Sequence, residues 1–164
     1  MKPGGRSPGD ARSIRVRRGA PGDLAGLMAL EEASFTVDRM SRRSLRRLLS
    51  GKTADVLLAE EPGGAPLGAA VLLRRKGSRR ERLYSLAVDP AARGRGVGRL
   101  LMEAVLTAAR SRGAAEVGLE VRTENEAAIA LYRSMGFAVE GVREGYYADG
   151  APALVMRLPL QGIG

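Results

Sequence analysis

The 164-residue chain contains no histidine, no cysteine and no tryptophan, and aromatic residues make up only 4% of it. Without histidine or cysteine it cannot run a Ser-His-Asp or Cys-His mechanism, build an imidazole or thiolate zinc site, or form a disulfide. Acid/base chemistry is left to Asp, Glu, Tyr, Lys, a terminus or bound water. Long apolar runs are missing as well. The longest stretch free of charge, residues 62–73, is far short of the ~20 apolar residues that a membrane span needs. Residues 1–12 lack the apolar segment of a secretory signal and read as a flexible basic arm with Lys2, Arg6 and Arg12. No repeat and no Pro/Gly/Ser linker divides the remainder, so residues 13–160 are expected to form a single domain of a cytoplasmic protein with no membrane partner.

What is abundant is positive charge. Lys and Arg number 27 against 18 Asp and Glu, a net +9. Residues 1–82 hold 18 basic and 9 acidic side chains, whereas residues 83–164 hold 9 of each, so the excess is confined to the first half. Such asymmetry bears on encounter with polyanions or acidic substrates rather than on fold.

Hydrophobic periodicity sets the coarse architecture. Ile14 and Val16 alternate with polar residues as in a strand. A helix follows Pro21 and Asp23, with Leu24, Leu27 and Met28 on its apolar side and Glu31 and Glu32 on its polar side. Ser41 can cap a second helix, in which Leu45, Leu48 and Leu49 form one stripe among Arg42, Arg43, Arg46 and Arg47. Residues 55–60 and 67–74 read as apolar strands joined through Pro62-Gly63-Gly64, and residues 74–82 as a charged connection. Residues 83–88 read as a buried strand. Val97, Leu100, Leu101, Ala104, Val105 and Ala108 then recur at helical spacing up to Gly113. Val117, Leu119 and Val121 alternate as a further strand, Thr123 or Asn125 caps a helix ending near Gly136, and residues 137–145 and 153–158 close the chain as two strands. The expected fold class is α/β (α+β), a mixed sheet with an antiparallel ending.

The stretch Arg93-Gly94-Arg95-Gly96-Val97-Gly98 sets three glycines between a buried strand and the first turn of a strong helix. A helix start leaves unpaired N–H groups and a partial positive charge, glycines admit a ligand close to the backbone, and arginines pair with phosphate oxygens. A phosphate site is therefore expected. The dinucleotide pattern G-x-G-x-x-G fails, since position 99 is Arg99, and Gly51-Lys52-Thr53 is no Walker A loop, since position 46 is Arg46.

At these residues the chain resembles the GCN5-related N-acetyltransferase (GNAT) family, whose pyrophosphate loop reads Arg/Gln-x-x-Gly-x-Gly/Ala. The resemblance continues through Leu119-Glu120-Val121-Arg122, Asn125, Ala128-Ile129, Leu131-Tyr132 and Gly136-Phe137, in the order of the family's ribosomal-protein alanine N-acetyltransferase branch. It implies a mostly antiparallel sheet of six to seven strands flanked by about four helices, with splayed central parallel strands. It implies acetyl-CoA as cosubstrate and no metal. Backbone groups of Leu86, Ala87 and Val88 would hold the pantetheine arm and acetyl carbonyl. The amides of Arg93, Gly94, Arg95, Gly96, Val97 and Gly98 would hold the pyrophosphate, with Asn125 and Tyr132 on the pantetheine side.

Acetyl transfer from a thioester to an amine needs a group to take the ammonium proton and one to protonate the departing thiolate. A phenol of pKa about 10 can donate to a thiolate whose conjugate acid lies near 8.5. The resemblance assigns the acid to Tyr132 and the base to Glu120. From the residues alone, Tyr132 also fits a core position packed through Ala128 and Met135, and Glu120 fits an ion pair with Arg122 or an organiser of water. The expected acceptor is a primary amine of a peptide, protein N-terminus or small molecule, acidic in character, bound by residues 24–49 and 146–153 of a monomer or homodimer. The branch's Phe-Pro-Trp is replaced by Phe35-Thr36-Val37, and its acidic pair by Ala151-Pro152. Two other readings remain: a basic nucleic-acid-binding module, which the low aromatic content disfavours, and a CoA-binding protein without catalysis.

Overall fold

The computed structural model describes residues 13–36 and 38–160; the basic arm expected over residues 1–12 lies outside them. In chain order the elements are β1 (Arg15–Arg18), α1 (Leu24–Ser34), α2 (Arg42–Ser50), β2 (Ala54–Glu60), β3 (Pro66–Arg74), β4 (Arg80–Val88), α3 (Val97–Ser111), β5 (Glu116–Arg122), α4 (Glu126–Ser134), β6 (Ala138–Arg143) and β7 (Ala153–Pro159). The strands form one sheet in the order β1-β2-β3-β4-β5-β7-β6. Every pair is antiparallel except β4 with β5. The mixed, mostly antiparallel sheet flanked by four helices is the one expected.

Strand alternation distributes apolar side chains to both faces of the sheet. Val56, Leu58, Ala69 and Val71 pack beneath α1 and α2 with Leu24, Leu27, Leu45 and Leu49. Ala59, Ala70 and Leu72 turn to the other face, against Leu101, Met102 and Val105 of α3 and Tyr132 of α4. Covered on both sides, β2 and β3 are near-continuous apolar runs. Ser41 caps α2 by accepting the Ser44 N–H at 3.1 Å, and Asn125 caps α4 by accepting that of Ala128 at 3.2 Å. Arg42, Arg43, Arg46 and Arg47 lie on the exposed side of α2, opposite buried Leu45 and Leu49.

The feature that positions the site is the end of the parallel pair. β4 and β5 are in register from Arg80 and Glu116 to Leu83 and Leu119, and no further. Beyond that point β4 runs on to Val88 and β5 to Arg122 without pairing to each other. Against β3, Ser85 pairs with Val71 and Leu83 with Leu72, which leaves Tyr84 as an extra residue. A bulge of this kind bends its strand and raises the local twist, and here it sits where β4 parts from β5.

Two expectations are corrected. Glu31 is buried rather than on a polar face, because its carboxylate accepts the Met40 N–H at 2.6 Å and so ties α1 to the chain entering α2. Burial pushes its carboxyl up, against the opposing effect of that bond. The charged segment 74–82 is a connection only over residues 75–79, because β3 runs to Arg74 and β4 already begins at Arg80, where its charged side chains find partners across the sheet. Glu81 pairs with Arg112 at 2.5 Å, and Arg82 pairs with Glu120 at 2.7 Å.

Candidate active site

The cradle at the head of α3 is built by backbone conformation. Gly94 and Gly96 have φ of 83° and 78°, the left-handed region that a side chain disfavours. Gly98 serves a different end: a Cβ there would stand 3.2 Å from Leu131 Cδ2, so its absence lets α3 approach α4 closely. The Arg93 and Arg95 N–H groups are spent inside the turn, on Pro90 O at 3.4 Å and Ala92 O at 3.3 Å, and the first helical bond runs from Leu100 N to Gly96 O at 3.1 Å. Among the described residues, the N–H groups of Gly94, Gly96, Val97 and Gly98 meet no acceptor. These donors at a helix start form a site for an anion.

The two loop arginines diverge. Arg93 is exposed, with no ion-pair partner among the described residues. Arg95 has a partner within the chain. Its guanidinium folds back to Glu61 in the β2–β3 turn, at 3.1 Å, where a carboxylate offers countercharge in a partly buried setting. Across the splay, the β4 backbone from Ser85 to Val88 has β3 on one side and no strand on the other. That segment includes Leu86, Ala87 and Val88, facing the gap that opens towards α4.

Glu120 lies on β5 beyond the last parallel pair, its side chain 13% exposed. Its partner is Arg82 of β4, not Arg122. Arg82 Nε donates to Glu120 Oε1 at 2.8 Å, and Arg82 Nη2 stands 2.7 Å from the same oxygen. The Tyr146 hydroxyl, at 3.3 Å, also donates to Oε1. Glu120 is therefore a countercharged group rather than a lone buried carboxylate. Sequence reasoning missed Arg82 because it lay in a segment read as a connection; the signal was a register placing Arg82 opposite Gly118, two residues before Glu120 on the same face.

Tyr132 projects from α4 into the core on the α3 face, with its ring centroid 5.8 Å from that of Phe137. The ring is packed, and the hydroxyl makes no hydrogen bond among the described residues. Burial pushes the phenol well up, and neighbouring Tyr147 adds to the shift. The group therefore stays protonated and available as a donor. Burial likewise pushes Tyr147 up to about 12. Asn125 spends its side-chain oxygen on the α4 cap, leaving its amide NH2 as its free polar group.

Arg122 ties the two segments that flank the gap. It pairs with Asp38, between α1 and α2, and with Asp149, between β6 and β7. Its guanidinium also lies 4.3 Å from the Tyr147 ring centroid. The segments expected to receive the acceptor are thus held to one another and to β5. Among the described residues no cluster of His, Cys, Asp or Glu could hold a metal ion, and no helix is long and apolar enough to cross a membrane.

Known proteins are similar to this chain in sequence and in fold. N-alpha-acetyltransferase RimI of Mycobacterium tuberculosis is 50% identical over 76 residues, which is 46% of this chain and 46% of that protein. The crystal structure of the ribosomal-protein-S18-alanine N-acetyltransferase from Escherichia coli is similar with a TM-score of 0.82 and 28% identity, over 92% of this chain and 96% of that one. The crystal structure of nourseothricin acetyltransferase gives a TM-score of 0.74 and 29% identity, over 91% of this chain and 99% of that one. The chain spans about half the length of the curated relatives it matches. The family model described as the acetyltransferase (GNAT) family matches residues 24–137, from the start of α1 through the glycine loop to the end of the α4 turn, and the chain belongs to that family.

Proposed function

We propose that the chain is an acetyl-CoA-dependent N-acetyltransferase acting on a primary amine by direct attack in a ternary complex. The observation that carries this reading is the end of the β4–β5 pairing, which leaves the β4 edge from Ser85 to Val88 without a strand partner on the β5 side; β4 leads into the unspent helix-start N–H groups, and β5 carries the Glu120 carboxylate and leads into the helix of Tyr132. The residues present fit the cosubstrate: the amides of Gly94, Gly96, Val97 and Gly98 suit the pyrophosphate, with Arg93 as the free cation of the loop. The β4 edge at Leu86, Ala87 and Val88 suits the amide groups of the pantetheine arm, and the Asn125 NH2 is a further donor. Acetyl-CoA supplies a thioester, an acyl group already activated, so no protein nucleophile is required.

In this mechanism Glu120, directly or through a water, takes a proton from the acceptor's ammonium. The freed nitrogen lone pair forms the C–N bond at the thioester carbonyl, the C–S bond breaks, the departing sulfur takes the Tyr132 proton, and the second proton that the nitrogen sheds as the amide forms restores the phenol. One relative is named for a ribosomal-protein alanine acceptor and another for nourseothricin, so peptide and small-molecule amines are both candidate acceptors. Thiol release from acetyl-CoA with a panel of N-terminal peptides, acidic peptides, polyamines and amino acids tests the reading. Turnover with one class names the acceptor, and none with any class overturns it.

The cradle has its own test. At Gly96 a side chain meets the strain of φ 78°, and a carboxylate there would also repel phosphate. Gly96→Asp should abolish acetyl-CoA binding in isothermal titration, with the circular dichroism spectrum unchanged. Affinity equal to wild type would show that the loop does not hold the cosubstrate.

A further inference from the structure

We infer that Arg82 is the positioning residue of the reaction: it clamps one oxygen of Glu120 so that the other is the single free proton acceptor facing the acceptor amine. This rests on the acetyltransferase reading and deepens it. Two guanidinium nitrogens of Arg82 and the Tyr146 hydroxyl all converge on Oε1, at 2.8, 2.7 and 3.3 Å. Oε2 receives no hydrogen bond among the described residues. A carboxylate held through one oxygen keeps its plane fixed, and its remaining lone pairs stay available for an amine or an intervening water.

The clamp is itself held by two contacts. Arg82 Nη2 donates to the Tyr146 hydroxyl at 2.6 Å, which fixes the guanidinium from the loop between β6 and β7. The guanidinium carbon lies 5.6 Å from the centroid of the Tyr84 ring, the residue added by the bulge. Opposite Arg82 in register stands Gly118, on the same face as Glu120. With no side chain at 118, the arginine has an open path across β5 to the carboxylate. The other charged or titratable groups nearby are engaged elsewhere: Tyr147 stacks edge-on against Tyr146 with centroids 5.0 Å apart, and Arg122 is committed to Asp38, Asp149 and Glu124. Among the described residues Arg82 is thus the one guanidinium that holds Glu120.

A positioning role predicts a loss that passes entirely through Glu120, which a double-mutant cycle measures. In the thiol-release assay with the best acceptor, Arg82→Gln should lower kcat about 10-fold or more, with acetyl-CoA affinity and melting temperature close to wild type. Arg82→Lys, which restores the charge but not the two-nitrogen clamp, should recover only part of that loss. On a Glu120→Gln background, Arg82→Gln should cost nothing further. Unchanged kcat in Arg82→Gln, or a loss that persists in full on the Glu120→Gln background, overturns the role while leaving the acetyltransferase reading intact. Absence of turnover by the wild-type chain overturns that reading and the role with it.

Discussion

Tyr132→Phe is expected to lower kcat by roughly 10²-fold or more, with acetyl-CoA affinity and melting temperature nearly unchanged. The separation of these effects follows from the environment of the side chain. The ring is packed in the core beside Phe137, and phenylalanine preserves that packing. The hydroxyl has no hydrogen-bond partner among the described residues, so deleting it orphans no donor or acceptor there, which is the usual source of instability in such a change. What disappears is the proton for the departing thiolate. Because burial holds the phenol well above its ordinary value, this acid also stays protonated across the working range. Its deprotonation should cause no alkaline fall in kcat below about pH 10. Turnover of Tyr132→Phe equal to wild type would remove the residue from the mechanism.

The parts of this site that were legible in the sequence are those written in local chain geometry. Glycines at 94 and 96 ahead of a helical period announce a backbone cradle, because a positive φ and a helix start are properties of a few consecutive residues. Glu120 and Tyr132 were legible through a motif. The elements of the fold were equally local, so the strand ends at Glu60 and Arg74 and the caps at Ser41 and Asn125 appear where the pattern places them. The partners were not legible. That Glu120 meets Arg82 and not Arg122, that Arg95 turns to Glu61, and that Arg122 joins Asp38 to Asp149 all depend on sheet order and register. Partners separated by 27 to 84 positions leave no periodic trace. The same cause hid the start of β4: its charges resemble a loop until the facing charges are known.

Asp55→Ala is expected to destabilise the fold by about 3 kcal/mol or more, lowering the melting temperature by on the order of 10 °C. Asp55 is 2% exposed on β2, and three guanidinium groups close on it: Arg18, Arg74 at 2.8 Å and Arg112 at 2.6 Å. Arg112, just past α3, continues to Glu81 of β4 at 2.5 Å. Removing the central carboxylate leaves these cations facing one another around a cavity. The partial exposure of the arginines sets the expected cost near the low end of the range for breaking a buried pair. Burial by itself pushes the Asp55 carboxyl up, but the bonds from Arg74 and Arg112 outweigh it and hold the group below its ordinary value. Its contribution to stability is therefore complete above about pH 4 and is lost as pH falls through the lower folded-state value. The variant should lack that part of the acid transition. A melting temperature within about 2 °C of wild type would show that the network contributes little. The network has a functional corollary, because it joins β2, β4 and the end of α3 in the half of the sheet where β4 still pairs with β5. Fixing that half confines the separation of the parallel strands to the end where β4 leads into the glycine loop and β5 carries Glu120. At temperatures where Asp55→Ala remains folded, acetyl-CoA affinity should match wild type, while local opening of the β4–β5 pair, read by amide hydrogen exchange at Arg82 and Leu83, should increase.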